Sequence, residues 1–225
     1  MNDLLLVVPS RGRPASIARL REAMAATCRG DTTLLVGLDD DDPQLPEYLD
    51  LKSTWKDMVQ IEPGLHQVVA WINVLAMANV KGFRYIGHMG DDNVPATIGW
   101  DVAIMNALEK TPFAFGNDLY PYRPAGELCC HVFCRSKVLA ALGYFGPPSL
   151  RHSYVDDVWM RWGGAAGITF LRDVIIEHLH HTAGKSPADQ NYAASAGLMG
   201  EDAAAFSAYC ATGLEADITK IRNCL

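Results

Sequence analysis

Short apolar runs alternate with segments of helical periodicity over the first 90 residues. Uninterrupted apolar runs at residues 4–8 and 33–38 predict buried strands, and residues 14–27 between them have the spacing of an amphipathic helix. A right-handed crossover of this kind makes the two strands parallel. The pattern then repeats, with a strand at 58–61, a helix from 68 to about 79 and a strand at 83–88. The first half is therefore predicted to be an α/β layer.

The second half is less regular, but it keeps the mixture of helices and strands. A helix is expected at 98–108, a second helix from 137 and a third at 155–162, with strands at 113–115, 131–134 and 168–176. From residue 186 the sequence is rich in alanine and predicts helices broken by Gly197, Gly200 and Gly213. No linker divides the chain. We expect one domain at 1–185, with halves at about 1–95 and 96–185, and a helical extension at 186–225.

Composition narrows the class of protein. None of the apolar runs in the 225 residues approaches the roughly 20 that a membrane helix needs, and the first ten residues are too strand-like for a signal peptide. We therefore expect a cytoplasmic protein without a membrane partner, whose oligomeric state stays open. The six cysteines lack CxxC spacing and are expected to be reduced. A net charge of −7 argues against a general nucleic-acid binder.

Three predicted strands end in polar or turn-forming residues at Pro9, Asp39 and Gly90. Parallel strands of an open α/β sheet bind ligands at their carboxyl ends, so these three ends should converge. The turn after Pro9 contributes two guanidinium groups, Arg11 and Arg13, at a helix N-terminus, which suits a diphosphate. The acids that follow the second strand suit a ribose or a base. This edge of the sheet is thus predicted to bind a nucleotide.

Asp91 and Asp92 end the fourth strand, directly after Gly90. Carboxylate oxygens at a strand end suit Mg²⁺ or Mn²⁺. The alternative is a polar turn that closes the strand before a helix. A metal site is the interpretation that the rest of the chain favours.

The order and spacing of seven segments together resemble the GT-A type of nucleotide-sugar glycosyltransferase, family 2 above all. The segments, which lie between residues 4 and 181, are VVPSRGRP, GLDDDD, GLHQVVAWIN, YIGHMGDDNVP, HVFCRSKVLAALGYFG, SYVDDVWMRW and IIEHLHH. The resemblance implies a Rossmann-like nucleotide-binding layer with a mixed central sheet, followed here by the helical tail. It also implies a UDP- or GDP-sugar donor, Mn²⁺ or Mg²⁺, and inverting transfer of a hexosyl or pentosyl group to a hydroxyl.

The resemblance also assigns residues to the donor. The family binds the nucleotide with its first loop and with an acid after the second strand. The metal motif of the family is Asp-x-Asp, with its second acid three residues before a proline. Counting back from Pro95 makes Asp92 the principal ligand and places Gly90 at the first position, so Asp91 either substitutes or leaves the metal to Asp92. A histidine after the last strand, His178, is expected to complete the metal shell. The donor candidates are Pro9, Ser10, Arg11, Arg13, Asp39 or Asp40, and Asp91.

An acid at a helix start activates the acceptor in this family, and Asp156 and Asp157 occupy that place. A capping box formed by Ser153 and Asp156 would give Asp156 a structural role, so Asp157 is the preferred base and Asp156 the second choice. The family's Arg-Asn pair on the helix after the third strand retains only Asn73, which suits helix packing equally well.

The acceptor is expected to contact Trp159, Tyr122 and Arg151. A glycan, a protein side chain or a modified nucleobase fits this set. Two other functions remain open. A sugar nucleotidyltransferase has a related layer, although its first loop is richer in glycine, and a non-catalytic nucleotide- or glycan-binding module would explain Gly90.

Overall fold

The computed structural model describes residues 2–51 and 57–225, which form a mixed α/β structure with eight strands and eight α-helices in the described part of the chain. In chain order the elements are β1 (Asn2–Ser10), α1 (Pro14–Thr27), β2 (Thr32–Asp39), α2 (Leu45–Asp50), β3 (Asp57–Glu62), α3 (Val68–Asn79), β4 (Phe83–His88), β5 (Asn93–Pro95), α4 (Trp100–Leu108), β6 (Phe113–Asn117), β7 (Val132–Arg135), α5 (Ser136–Leu142), α6 (Val155–Ala166), β8 (Ile168–His178), a 3₁₀ turn (His181–Ala183), α7 (Gln190–Thr212) and α8 (Leu214–Asn223).

One sheet contains these strands in the order β3-β2-β1-β4-β7-β6-β8-β5. Strands β3, β2, β1 and β4 are parallel, β7 is antiparallel to both of its neighbours, and β5 is antiparallel to β8. In register, Ser10 lies opposite Leu38, and Val7 lies opposite His88. The carboxyl ends of β1, β2 and β4 therefore converge at one edge, as the sequence predicts. The mixed sheet confirms the predicted fold class.

Apolar side chains fill both faces of the sheet. One layer includes Trp159 and Trp162 of α6, and the other includes Ile17 of α1 and Trp100 of α4. The tail joins the first layer, because the indole nitrogen of Trp162 donates to the hydroxyl of Tyr209 at 2.9 Å. Burial of large side chains at about 25 cal/mol per Å² of apolar surface is the main force that holds these layers together.

Several predicted boundaries need correction. Helix α6 continues through Gly163 to Ala166, and α7 runs unbroken through Gly197 and Gly200. A Cβ atom at Gly163 would lie 2.7 Å from Cβ of Ile168, so this glycine permits the close approach of β8 rather than ending the helix. The helix suggested between residues 46 and 55 is α2, which ends at Asp50, and residues 52–56 lie outside the described ranges.

The start of α6 also differs from the prediction. Tyr154 caps the helix in a left-handed conformation with φ of 65°, and its side chain makes no capping hydrogen bond. The predicted capping box of Ser153 and Asp156 is therefore wrong. The backbone N–H groups ahead of the helix instead donate to the buried carboxylate of Asp202 on α7, at 2.9 Å from His152 and 2.7 Å from Ser153.

All six cysteines are free of disulfide bonds in the structure. Across the described ranges, each helix is either too short or too polar to cross a lipid bilayer.

Candidate donor and metal site

Asp91 fastens the loop after β1 to the end of β4. Its Oδ2 atom accepts a hydrogen bond from Ser10 at 2.7 Å, and its Oδ1 atom accepts one from Arg13 at 2.8 Å. Burial raises the pKa of the Asp91 carboxyl to about 6, although the charge of Arg13 opposes that rise. Both oxygens have partners within the protein, so the structure shows Asp91 shaping the loop that was predicted to hold the donor.

Asp92 lies beside His178, as the metal prediction requires. Strand β5 pairs with β8 so that Asn93 lies opposite His178, which brings Nε2 of His178 to 3.3 Å from Oδ2 of Asp92. The same Oδ2 atom accepts a hydrogen bond from the hydroxyl of Tyr192 at 2.7 Å. Burial favours the neutral acid, but the hydrogen bonds from His178 and Tyr192 hold the pKa of Asp92 below its usual range. Asp92 is therefore a carboxylate at neutral pH.

The donor atoms around Asp92 fit a divalent cation. A carboxylate oxygen and an imidazole nitrogen suit Mn²⁺, and the remaining positions would be left for water and ligand oxygens. Within the described residues, three buried side-chain atoms of this region have no hydrogen-bond partner: Nδ2 of Asn93, Nδ1 of His178 and Nδ1 of His181. Buried polar atoms are usually satisfied, so this grouping is typical of a site completed by a ligand.

Asp39 organises the loop after β2. Its Oδ1 atom accepts hydrogen bonds from the indole of Trp71 at 3.0 Å and from the backbone N–H of His66 at 3.2 Å. Its Oδ2 atom lies 3.2 Å from Nη1 of Arg11, which also contacts Asp41 at 2.6 Å. Asp39 is buried, whereas Asp41 is exposed. Asp40 is also exposed, and Arg11 is half-buried.

A second group of possible metal ligands adjoins His178. One side-chain atom each from Asp118, Cys130 and His178 lies within 4.8 Å of the other two. The guanidinium of Arg123 forms an ion pair with Asp118 and lies 3.5 Å from Sγ of Cys130. Arg123 thus already supplies the positive charge that this group needs. Arg123 lies in a loop that the sequence suggests for the acceptor, whereas Asp118 was not singled out, although it directly follows β6, which ends at the same edge.

The two acids at the start of α6, Asp156 and Asp157, are both half-buried. Burial and the neighbouring charge of Asp157 raise the pKa of the Asp156 carboxyl to about 6, and the charge of His178 opposes this rise. The backbone carbonyl of Asp156 accepts a hydrogen bond from Sγ of Cys129 at 3.7 Å. The next residue after Cys129 is Cys130, whose Sγ lies 3.5 Å from the guanidinium of Arg123.

Of the predicted acceptor contacts, Trp159 needs correction. Its side chain is fully buried, its indole donates to the carbonyl of Phe145 at 2.8 Å, and its ring packs 5.7 Å from that of His88. Trp159 is therefore a core residue that does not reach the protein surface. Tyr122 is 72% exposed, and Arg151 is exposed and paired with Glu201 at 2.8 Å.

Asn73 holds a loop rather than facing the donor. Its side chain donates to the carbonyl of Gly146 at 2.8 Å and accepts from the N–H groups of Phe145 and Gly146 at 2.7 and 2.9 Å. These contacts show that Asn73 packs α3 against the loop that contains Phe145 and Gly146.

The tail contributes two side chains that the sequence did not single out, Asp189 and Tyr192. Asp189 binds Arg13 through two hydrogen bonds of 2.7 and 2.9 Å, and Tyr192 binds Asp92. Both lie about ten residues after the histidines at positions 178–181, and no periodicity marks them. Proximity to those histidines was the one signal available.

No protein-family model matches the sequence, and a search of curated proteins found no match either. The fold, in contrast, matches solved glycosyltransferases. Staphylococcus aureus TarS 1-349 in complex with UDP has a TM-score of 0.60 at 14% identity, over 77% of this chain and 59% of that chain. The mannosyltransferase PcManGT from Pyrobaculum calidifontis, in complex with GDP-Man and Mn²⁺, has a TM-score of 0.56 at 11% identity, over 95% of this chain and 78% of that one.

A third similar structure is the catalytic domain of Drosophila β1,4-galactosyltransferase 7 in complex with xylobiose, with a TM-score of 0.53 at 14% identity, over 85% of this chain and 78% of that chain. The chain therefore has the GT-A-like fold of nucleotide-sugar glycosyltransferases. It spans about 59% of the length of the UDP-bound TarS chain.

Proposed function

We propose that the protein is a metal-dependent, inverting glycosyltransferase that moves a sugar from a nucleoside-diphosphate donor to a hydroxyl acceptor. The observation that carries this proposal is the pairing of Asp92 with His178, at 3.3 Å, where the parallel strands end beside Arg13. Solved structures of the same fold contain UDP or GDP-Man with Mn²⁺, which supports a donor of this kind.

The donor would lie across the ends of β1, β2 and β4. Arg13 would face the diphosphate, and the loop of Pro9 and Ser10 would present its backbone to it. Arg11, with Asp39 or Asp40, would bind the nucleoside. The loops that follow β1 and β2 are joined by the ion pair of Arg11 with Asp39 and lie beside the exposed acids after β2. A UDP- or GDP-sugar fits the proposal. Whether the group transferred is a hexosyl or a pentosyl group depends on the donor.

Asp92 and His178 would hold Mn²⁺ or Mg²⁺. When bound, the cation would stabilise the negative charge that develops on the leaving diphosphate. Arg13 would add a fixed positive charge near the same oxygens. It is held in place by Asp91 at 2.8 Å, so its orientation is set before the donor binds.

In the transfer, the acceptor oxygen would attack the anomeric carbon from the face opposite the diphosphate. The bond between that carbon and the diphosphate oxygen breaks, and its electron pair leaves with the nucleoside diphosphate. The hydroxyl proton passes to a carboxylate of the protein. One inversion at the anomeric carbon follows from this single displacement.

We assign the proton acceptor to Asp156, with Asp157 as the alternative that the sequence favoured. The backbone carbonyl of Asp156 accepts a hydrogen bond from Sγ of Cys129 at 3.7 Å. The next residue, Cys130, belongs to the group around His178, which supports a position of Asp156 near the metal pair. The Asp156 carboxyl has a pKa of about 6, which suits a base that works near neutral pH. Asp156 forms no capping box with Ser153, so the structural role that the sequence suggested for it does not compete with a role as the base.

The acceptor would approach over the loop that carries Tyr122 and past Arg151. Tyr122 is exposed and packs edge-on against Tyr120, with ring centroids 5.7 Å apart. Aromatic faces of this kind stack on sugars or on nucleobases. A glycan, a protein side chain and a modified nucleobase each satisfy this chemistry.

The experiment that tests the proposal is a thermal-shift screen of UDP, GDP, CDP and their sugars, with and without Mn²⁺, followed by a donor-hydrolysis assay. We expect one nucleotide to raise the melting temperature only with Mn²⁺, and its sugar to be hydrolysed slowly. Stabilisation without hydrolysis or transfer would indicate a non-catalytic binding module. Release of pyrophosphate from a nucleoside triphosphate and a sugar phosphate would indicate a sugar nucleotidyltransferase.

A further inference from the structure

We propose that the start of the C-terminal tail, residues 189–192, is part of the donor site, where Asp189 positions Arg13 and Tyr192 positions Asp92. The proposal rests on the function proposed above. The resemblance to glycosyltransferases leaves the tail unexplained. In this proposal, Asp189 acts on the residue that would bind the diphosphate, and Tyr192 acts on the residue that would bind the cation.

Asp189 fixes the guanidinium of Arg13 from the side opposite Asp91. Its two oxygens accept hydrogen bonds from Nε and Nη2 of Arg13, while Nη1 donates to Asp91. A guanidinium carries five N–H groups, so two remain for phosphate oxygens after these three bonds. The Arg13 side chain is only 15% exposed and is planar, which means that its two carboxylate partners define the direction of the remaining donors.

Tyr192 fixes Asp92 in a comparable way. Its hydroxyl donates to Oδ2 of Asp92 at 2.7 Å, the same oxygen that faces His178. The bond holds the carboxylate in one rotamer and leaves Oδ1 for a cation. The Tyr192 ring is itself held, because the Arg13 guanidinium lies 4.4 Å from its centroid and the His181 ring lies 4.1 Å away.

The segment is fixed to the body of the protein on both sides of these contacts. Asp189 caps α7 by accepting from the N–H groups of Asn191 and Tyr192, at 3.0 and 3.1 Å. The Asn191 side chain donates to the backbone carbonyl of Arg11 at 2.6 Å. Farther along α7, the buried carboxylate of Asp202 binds the loop ahead of α6. The positions of Asp189 and Tyr192 are therefore set by the fold.

Two separate roles predict two separate defects. Loss of the Asp189 charge should weaken the binding of the diphosphate, because Arg13 keeps one partner and gains freedom to rotate. Loss of the Tyr192 hydroxyl should weaken the binding of the cation, because Asp92 loses the bond that fixes its rotamer. Removal of an outer partner of a metal ligand typically costs 10- to 100-fold in affinity, so we expect roughly tenfold for the cation. We expect a loss of about tenfold for the diphosphate as well, because the bonds that orient Arg13 join charged groups.

The test uses Asp189→Asn and Tyr192→Phe in the full chain. The asparagine still caps α7, and the phenylalanine still packs on His181, so neither change removes the packing of the tail. Mn²⁺ affinity is measured without nucleotide by the loss of the free-ion electron paramagnetic resonance signal. UDP and GDP affinities are measured by calorimetry in saturating Mn²⁺. The matched controls are Glu201→Gln on α7 and Tyr85→Phe, whose hydroxyl bonds Glu109 at the other end of β4.

We expect Asp189→Asn to raise the nucleotide dissociation constant about tenfold and leave that of Mn²⁺ within twofold, and Tyr192→Phe to do the reverse. The controls should change neither. Equal changes of both constants in both variants, with a lower melting temperature, would show that the tail supports the fold alone and would overturn the proposal. Wild-type affinities retained by both variants would also overturn it. If the wild-type protein binds neither Mn²⁺ nor nucleotide, the proposed function fails first, and this assignment fails with it.

Discussion

A Cβ atom at Gly90 would lie 2.7 Å from Oδ1 of Asp92, well inside a normal contact. The other oxygen of Asp92 is occupied by Tyr192 and faces His178. Gly90 therefore keeps open the one oxygen of Asp92 that remains for a cation. The position at which an Asp-x-Asp motif would have its first acid has no room for a side chain while Asp92 keeps this rotamer.

Gly90→Ala should lower the affinity for Mn²⁺ by roughly tenfold, because the methyl group forces Asp92 out of its bonds with Tyr192 and His178. Gly90→Asp should lower it as well rather than supply a new ligand. Mn²⁺ titration followed by electron paramagnetic resonance measures both. Gly164→Ala is the matched control, since a Cβ atom at that helical position meets nothing within 4 Å. Tighter binding of Mn²⁺ by Gly90→Asp would contradict this prediction and would show that the metal site lacks the first acid of an Asp-x-Asp motif.

Asp156→Asn should abolish transfer while leaving donor and Mn²⁺ affinities unchanged, because it removes the proton acceptor but no ligand of the donor. In the wild-type protein, the turnover number should fall about tenfold per pH unit below about pH 6, where the Asp156 carboxyl becomes protonated. Asp157→Asn, one residue away on α6, is the matched comparison. If transfer is lost in Asp157→Asn and retained in Asp156→Asn, the roles of the two acids are reversed.

Asp156→Asn should also stabilise the protein at neutral pH. Folding raises the pKa of Asp156 from about 3.9 to about 6, so ionisation of this group destabilises the native state. The penalty is absent below about pH 4 and is complete above about pH 6. Asp156→Asn removes it, which should add roughly 1–3 kcal/mol to the free energy of unfolding at pH 7.5 and almost nothing at pH 4. Urea unfolding at both pH values measures the difference, and an equal effect at both would contradict it.

Asn73→Ala should destabilise the fold by roughly 1–3 kcal/mol, because the N–H groups of Phe145 and Gly146 lose their acceptor. The affinity for nucleotide should stay the same at temperatures where the variant is folded. Thermal unfolding and calorimetry separate the two effects. A large loss of nucleotide affinity without loss of stability would restore the donor role that the Arg-Asn pair of the family implies.

Much of the first half follows from local patterns. The apolar runs of β1 and β4 and the spacing of Ile17, Leu20 and Met24 on α1 are short-range signals, and these apolar residues all lie in the core. The ends of parallel strands must share an edge, so the meeting of Ser10 with Asp91 also follows from the order of elements.

Other features depend on contacts between distant parts of the chain. Tyr192 reaches Asp92 across 100 residues, and no periodicity in the sequence reports such a contact. Strand β5 has three residues, too few to show alternation, yet its pairing with β8 is what brings His178 to Asp92. The sequence around Trp159 would look the same whether its side chain faced a sugar or the core. Its burial is decided by the packing of α6 on the sheet.

The binding of a nucleoside diphosphate through a cation held by Asp92 is the central claim, and one measurement tests it most directly. Calorimetric titrations with UDP and GDP compare the wild-type protein with Asp92→Asn, each with Mn²⁺ and with EDTA. The account predicts that Mn²⁺ tightens binding to the wild-type protein by at least tenfold, which is about 1.4 kcal/mol, and has no effect on Asp92→Asn. Equal affinities with Mn²⁺ and with EDTA in the wild-type protein, or an undiminished effect of Mn²⁺ in Asp92→Asn, would contradict it.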